Sequence, residues 1–309
     1  MPAQSGASGR PRTALLCSPG PHSGASLDER MRVRRLSLED VPAAARLTDA
    51  AFGGGPREDR LRRYLAIEPR GWFVVEDASH LIAVGGVVRF GTFAWLGLMA
   101  VHPKRQRQGL GRAIAEEAIG WALGQGCSTI FLIATPAGVP LYARLGFVPA
   151  GESEELSGRP APPAQPSLPA RCGVVRWTAA ETREVGGYDA PAFGADRTHL
   201  LSVYAADFPA SSWVARDATG AIRGFLVIQG SSLGPWSADD DAAAAQLLDA
   251  ALPRVREPLR AGILDPGAAS LLLARGFVRT RPLPRMRLGP AVPTRDTPRL
   301  LAHASYAVG

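Results

Sequence analysis

Short apolar runs alternate along this chain with stretches in which apolar residues recur at helical spacing, so strands and helices are expected to take turns. The run Trp95-Leu96-Gly97-Leu98-Met99-Ala100-Val101 reads as a strand closed by His102-Pro103. From Arg112 to Leu123, the residues Ile114, Ala118, Trp121 and Ala122 lie on one helical face. Thr129-Ile130-Phe131-Leu132 is again strand-like, which places Cys127 at the start of a buried strand and not as a nucleophile. Upstream, Ser37 and Asp40 stand in capping-box order before an alanine-rich helix that ends at Ala51-Phe52-Gly53. Val74 through Gly86 reads as a hairpin.

The same grammar returns in the second half. Thr178 and Glu181 form another capping box, followed by a helical stretch to Ala192-Phe193-Gly194. Val214 through Gly224 repeats the hairpin, and Gly276-Phe277-Val278 repeats Gly146-Phe147-Val148. Between the copies, the segment from Gly151 to about Gly173 carries Pro160, Pro162, Pro163, Pro166 and Pro169, a linker composition. The expected division is a disordered extension over 1–30, a first unit over 31–151, a linker over 152–173 and a second unit over 174–309. Met31 directly precedes the first strand-like segment and is an alternative start. The mixed tail after Gly289, with Leu300-Leu301-Ala302, is a candidate for packing between the units.

Between the strand ending at Val101 and the helix from Arg112 lies Gln106-Arg107-Gln108-Gly109-Leu110-Gly111. A glycine loop at a helix N-terminus suits a diphosphate, because free amides and the helix dipole both favour an anion. Lys104, Arg105, Arg107 and Arg112 add positive charge, and side chains at positions 109 and 111 would obstruct the turn or the ligand. A dinucleotide fingerprint would need glycine where Ile114 stands, and a P-loop would need a Gly-Lys-Ser/Thr run that is absent.

In order and spacing, Gln106, Gly109 and Gly111 after Val101-His102-Pro103, followed by Ala134-Thr135-Pro136-Ala137-Gly138, Leu141-Tyr142 and Leu145-Gly146-Phe147, resemble the GNAT family of N-acetyltransferases. The resemblance implies an α/β fold: tandem GNAT folds, each a central mixed, largely antiparallel sheet flanked by helices, with the second copy degenerate. It implies acetyl-CoA as acyl donor, bound by Met99, Ala100, Val101, Gln106, Arg107, Gln108, Gly109, Leu110, Gly111 and Arg112. It also implies direct attack by a primary amine, on a small molecule or a protein, with Tyr142 protonating the leaving thiolate. Tyr142 has a plainer reading as a core tyrosine, and Gln106 either contacts phosphate or caps its turn. Where many relatives carry an acidic residue and an arginine flanking the second motif, this chain has Ile133 and Val139. No strand glutamate supplies a base; Glu68, His80, Asp189, Asp196 or a water chain are candidates, and for Asp196 the plainer reading as a helix cap or a partner of Arg197 comes first. His102 is read as structural. The second copy places Asp239, Asp240 and Asp241 where phosphates would bind, and Leu272 in place of Tyr142.

The chain has 309 residues and a formal charge of +7, enough for two ordinary cores. Of its 35 basic residues only Lys104 is a lysine, and no arginine run is interleaved with aromatics, so nucleic acid is not an expected partner. Three scattered cysteines argue against a disulfide framework or a metal cluster, and no run is long enough for a signal core or a membrane span. The default compartment is the cytoplasm. A homodimer fits the resemblance, as does pairing of the two copies within one chain. The reading from a different class is an acetyl-CoA sensor or interaction module without turnover.

Overall fold

The computed structural model of this protein describes residues 31–55, 57–162 and 172–309. The expected disordered extension and residues 163–171 of the proline-rich stretch lie outside the described residues. The first half runs β1 (Met31–Arg35), α1 (Val41–Phe52), α2 (Glu58–Ile67), β2 (Trp72–Asp77), β3 (His80–Phe90), β4 (Phe93–Val101), α3 (Leu110–Gly124), β5 (Thr129–Ile133), α4 (Val139–Arg144) and β6 (Val148–Gly158). The second repeats the order as β7 (Gly173–Arg176), α5 (Thr182–Phe193), α6 (Thr198–Asp207), β8 (Ser212–Arg216), β9 (Ile222–Gln229), β10 (Ser232–Ala238), α7 (Asp241–Ala251), β11 (Leu259–Ile263), α8 (Pro266–Leu273) and β12 (Phe277–Leu288). One further strand, β13 (Arg299–Ala302), ends the series.

Local chemistry explains the helix boundaries. The carboxylate of Asp40 accepts the Ser37 amide at 2.8 Å while pairing with Arg34 at 2.7 Å, which fixes the turn into α1. In the second half the Thr178/Glu181 capping box is complete, and α5 ends on Gly194 in the left-handed conformation.

All thirteen strands form one sheet in the order β1-β2-β3-β4-β5-β12-β6-β11-β13-β10-β9-β8-β7. The two halves therefore exchange strands. β12, from the second half, pairs with β5 of the first through Arg285↔Ile133 and Arg287↔Phe131. β6, from the first half, pairs with β11 of the second from Leu259↔Gly158 to Ile263↔Glu154. β6 and β12 also pair with each other along their length. This corrects the expected boundaries, because residues 152–158 belong to β6 and are not linker. Their run Glu-Ser-Glu-Glu-Leu-Ser-Gly has no strand-like alternation. It is held by basic partners on β12, with Arg279 to Glu154 at 2.7 Å and Arg281 to Glu155 at 3.0 Å.

Side chains on alternate sides of the sheet form three apolar clusters. One face is shared by α1, α2, α5 and α6 of both halves. On the other, α3 and α4 cover the first half and α7 and α8 the second. Within the shared layer, Asp189 and Arg197 are fully buried and paired at 2.6 Å, with Ser237 donating to Asp189 at 3.0 Å. Removing one partner of such a pair costs about 3–5 kcal/mol.

Since β5 and β11 each find their outer neighbour in the other half, a fragment of residues 31–162 should not persist as a folded monomer. With no basic mate for its acidic β6 and nothing to cover the β5 edge, the fragment is expected to melt without a cooperative transition and to sediment as an expanded chain. A cooperatively melting monomer would contradict the exchange.

Candidate active site

The first half contains a wedge in its sheet. β4 and β5 pair in parallel from Phe93↔Thr129 to Leu96↔Leu132, and the pairing stops there. Immediately beyond, β4 bulges: Val84↔Ala100 and Gly86↔Gly97 leave Leu98 and Met99 opposite Gly85 alone. Leu98 has φ 57°, a left-handed conformation rare for a residue with a side chain. The Met99 side chain packs over Gly85, where a Cβ would displace its sulfur. The end of β4, with Met99, Ala100 and Val101, lines the parted strands, and among the described residues no strand enters the gap.

Below this wedge lies the glycine loop. Gly109 is the N-cap of α3 at φ 80°, with no side-chain cap on the helix amides that follow. Nothing lies within 4 Å of where a Gly109 Cβ would stand, so the space above the helix end is open. Arg107 also has positive φ, at 62°. The expected ring of charge is thinner than the sequence implies. Arg105 is tied to Asp77 at 2.6 Å and donates to Gln108 at 3.0 Å, and Arg112 pairs with Glu116 at 2.8 Å. Among the described residues, Lys104 and Arg107 keep their charge without a carboxylate partner. Gln106 is exposed and caps nothing, which leaves its side chain available. Leu110 is a core residue, 1% exposed, so only its amide faces the loop. At Gly111 a Cβ would meet its nearest neighbours at 3.6 and 3.7 Å, an ordinary contact. The protein itself therefore does not demand glycine at 111, which leaves the approach of a ligand, and not the turn, as the expected reason for it.

Tyr142 on α4 joins the same apolar cluster as Leu110 and Ile114, with Met99 and Val101 packed against it. Its ring meets Phe147 edge-on at 5.8 Å. The hydroxyl has no partner among the described residues and is not among the atoms sealed from solvent. Burial pushes its pKa up to about 12, so it is a protonated phenol at any working pH. Ile133 and Val139 pack against clusters on opposite faces of the sheet.

None of the four candidate bases stands at the wedge. Glu68 is buried and paired with Arg89 at 3.0 Å, beside the beginning of β4, at the other end from the bulge. His80 sits exposed at a hairpin tip. Asp189 is locked to Arg197, and Asp196 accepts the Thr198 amide at 2.7 Å at the start of α6.

The second half has a wedge too, and it is filled. β10 and β11 pair in parallel only at Ser232↔Arg260 and Leu233↔Ala261, after which β13 runs between them, with Trp236↔Ala302 on one side and Ile263↔Ala302 on the other. Asp240 caps α7 by accepting the Ala243 amide at 2.8 Å, while Asp239 and Asp241 are held by Arg223 and Arg299. Leu272, in place of the tyrosine, is a fully buried core residue.

Two sequence patterns match this architecture. The Acetyltransferase (GNAT) family pattern covers residues 41–147, and that of an Acetyltransferase (GNAT) domain covers residues 185–300. The chain belongs to the GNAT family, in its tandem class. It is 27% identical over 234 residues to the Uncharacterized N-acetyltransferase YitH of Bacillus subtilis, spanning 74% of this chain and 80% of that protein. A candidate acetyltransferase from Pyrococcus horikoshii superposes with TM-score 0.79 at 21% identity over 94% of this chain and 100% of that one. A tandem GNAT protein from the clavulanic acid biosynthesis pathway does so with TM-score 0.59 at 17% identity over 84% of this chain and 99% of its own. At such identities the solved structures speak to the fold. As a GNAT N-acetyltransferase the protein is an acyltransferase with an amine acceptor. Among the described residues, no helix is long and apolar enough to cross a membrane, and no group of three His, Cys, Asp or Glu residues is placed to hold a metal ion.

Two features of the site escaped the sequence: the strand that fills the second wedge, and the arginines that β12 brings beside the first. The four-residue β13 run gave no periodic signal, and nothing in the sequence sets the β12 arginines apart from the others.

Replacement of Gly109 by Ala should destabilise the fold by about 1–2 kcal/mol because of its left-handed backbone. Gly111→Ala, inside the first turn of α3, should be neutral or stabilising by up to about 1 kcal/mol in urea unfolding. Equal losses at the two positions would refute this reading of the loop.

Proposed function

We propose that the first half transfers an acetyl group from acetyl-CoA to a primary amine, by direct attack in a ternary complex. The observation that carries this reading is the open wedge between β4 and β5, flanked by the uncapped end of α3 and by the protonated hydroxyl of Tyr142. The loop amides of residues 109–112, with Lys104, Arg107 and the side chains of Gln106 and Gln108, face the diphosphate. The backbone of Met99, Ala100 and Val101 runs beside the pantetheine arm, and the bulge at Leu98–Met99 turns an amide toward the thioester carbonyl, where it opposes developing negative charge.

The neutral amine nitrogen bonds to the carbonyl carbon as the carbon–sulfur bond breaks, CoA leaves as a thiolate, and the proton that the nitrogen sheds passes to water. Tyr142 donates its hydroxyl proton toward that sulfur. A free thiol ionises near 8.5 in water, so the buried Tyr142 phenol, at about 12, is the weaker acid. Burial that raises the phenol also raises a thiolate held beside it, which narrows the gap. Throughout, Tyr142 remains a hydrogen-bond donor to the departing charge. The filled wedge and capped α7 of the second half leave no comparable place for a second cofactor.

Calorimetric titration with acetyl-CoA should give one site per chain. No binding would move the protein to the interaction-module class, and two sites would contradict the role given to β13. Tyr142→Phe should lower turnover by about two orders of magnitude with acetyl-CoA affinity nearly unchanged. Because the active phenol is the protonated form, it is lost only as pH rises through about 12, so no alkaline limb in kcat should trace to Tyr142 below about pH 11. An unchanged Tyr142→Phe turnover would remove the residue from the mechanism.

A further inference from the structure

A cavity of about 660 Å³ lies on the α1/α5 face of the sheet, at the centre of the strand exchange. Its aromatic wall is Phe93 and Trp95 from β4, Phe131 from β5 and Phe193 from α5. Arg285 and Arg287 of β12 line it from the other side. Register fixes their direction. Arg285 is opposite Ile133 and Arg287 opposite Phe131, on the cavity face, whereas Met286 between them packs with Leu132 on the α3 face. Arg285 therefore stands one strand spacing, about 4.8 Å, beyond the last residue of β5, at the end of the cavity nearest the wedge.

Its charge is unmatched. Arg279 and Arg281, on the same strand, are each paired with a glutamate. Arg285 donates through Nε to the Ala150 carbonyl at 3.1 Å, and no carboxylate of the described residues lies within ion-pair distance. Burial alone pulls its pKa down, the mark of a cation given up by water without a protein anion in exchange. Both terminal nitrogens are left as an open fork, the geometry that grips a carboxylate by two hydrogen bonds. His303 in the same lining is neutral: burial, helped by Arg285 and Arg197, holds its pKa at about 3. It adds no competing charge.

We propose, building on the acetyl-transfer reading, that the amine acceptor carries a carboxylate and a large apolar or aromatic group, as an aromatic α-amino acid does. Arg285 holds the carboxylate, the aromatic wall takes the side chain, and the amine is presented toward the wedge. The short span from Arg285 to the gap between β4 and β5 favours a small molecule whose amine and carboxylate are close together.

Binding of product analogues tests this without requiring turnover. N-acetyl-L-phenylalanine and N-phenethylacetamide differ only by the carboxylate, and titration of the full chain should show the first binding at least tenfold more tightly. Arg285→Met should abolish the difference and Arg285→Lys should retain part of it, with thermal melting to verify folding. Equal affinity of wild type for the two compounds, no measurable binding of either at millimolar concentration, or a preference that survives in Arg285→Met would overturn the proposal. Failure of acetyl-CoA to bind, in a separate titration, would instead overturn the transfer reading beneath it.

Discussion

The pairing of β6 with β12 is the contact on which the rest of the molecule depends. β6 begins just after one Gly-Phe pair and β12 at the phenylalanine of the other, and each carries its half's chain into the other half's sheet. One is acidic and the other basic, and their charges meet across the ladder. Burial pushes the Glu155 carboxyl up, but hydrogen bonds from Arg281 and Tyr306 outweigh it and hold the group below the usual carboxylate range. The pairing makes two similar units into one sheet. It also puts β12, and with it Arg285, beside the first wedge.

The two halves then diverge in how they end. In the first, β4 and β5 part and stay apart, with a bulge and an uncapped helix on either side of the opening. In the second, a carboxylate caps the corresponding helix and β13 takes up the hydrogen-bonding edges of β10 and β11. The segment that follows, Ala304 to Gly309, crosses to the first half. A Cβ on Gly97 would lie 2.3 Å from the Ala307 Cα, and the Trp95 indole donates to the Tyr306 carbonyl at 3.2 Å. The last stretch of the second half thus closes its own wedge and then forms a wall next to the other.

Much of this was legible in the residues where the chain solves a local problem. Capping boxes, the Ala-Phe-Gly helix ends, the glycine loop and the tyrosine motif each depend on neighbours a few positions away, so their spacing carries the information. What escaped depends on distant partners. Residues 152–158 form a strand because arginines about 125 positions later sit opposite them, and nothing within the segment says so. The same is true of Arg105 at the loop, which Asp77 claims from 28 positions away, whereas Glu116 claims Arg112 from one turn along the same helix. Arg285 looked like one arginine among many until register placed it on the cavity face.

The exchange also dictates an order of assembly during synthesis. Ile133 of β5 waits for Arg285, 152 residues farther along, before its outer edge is covered. At ribosomal speeds of about 5–20 residues per second, that edge is exposed for on the order of ten seconds or more. During that interval the nascent first half carries an open β-edge beside an acidic β6 with no basic mate. The negative charge on that strand repels its counterpart on a neighbouring nascent chain, so the feature that later binds the two halves also keeps unfinished chains apart.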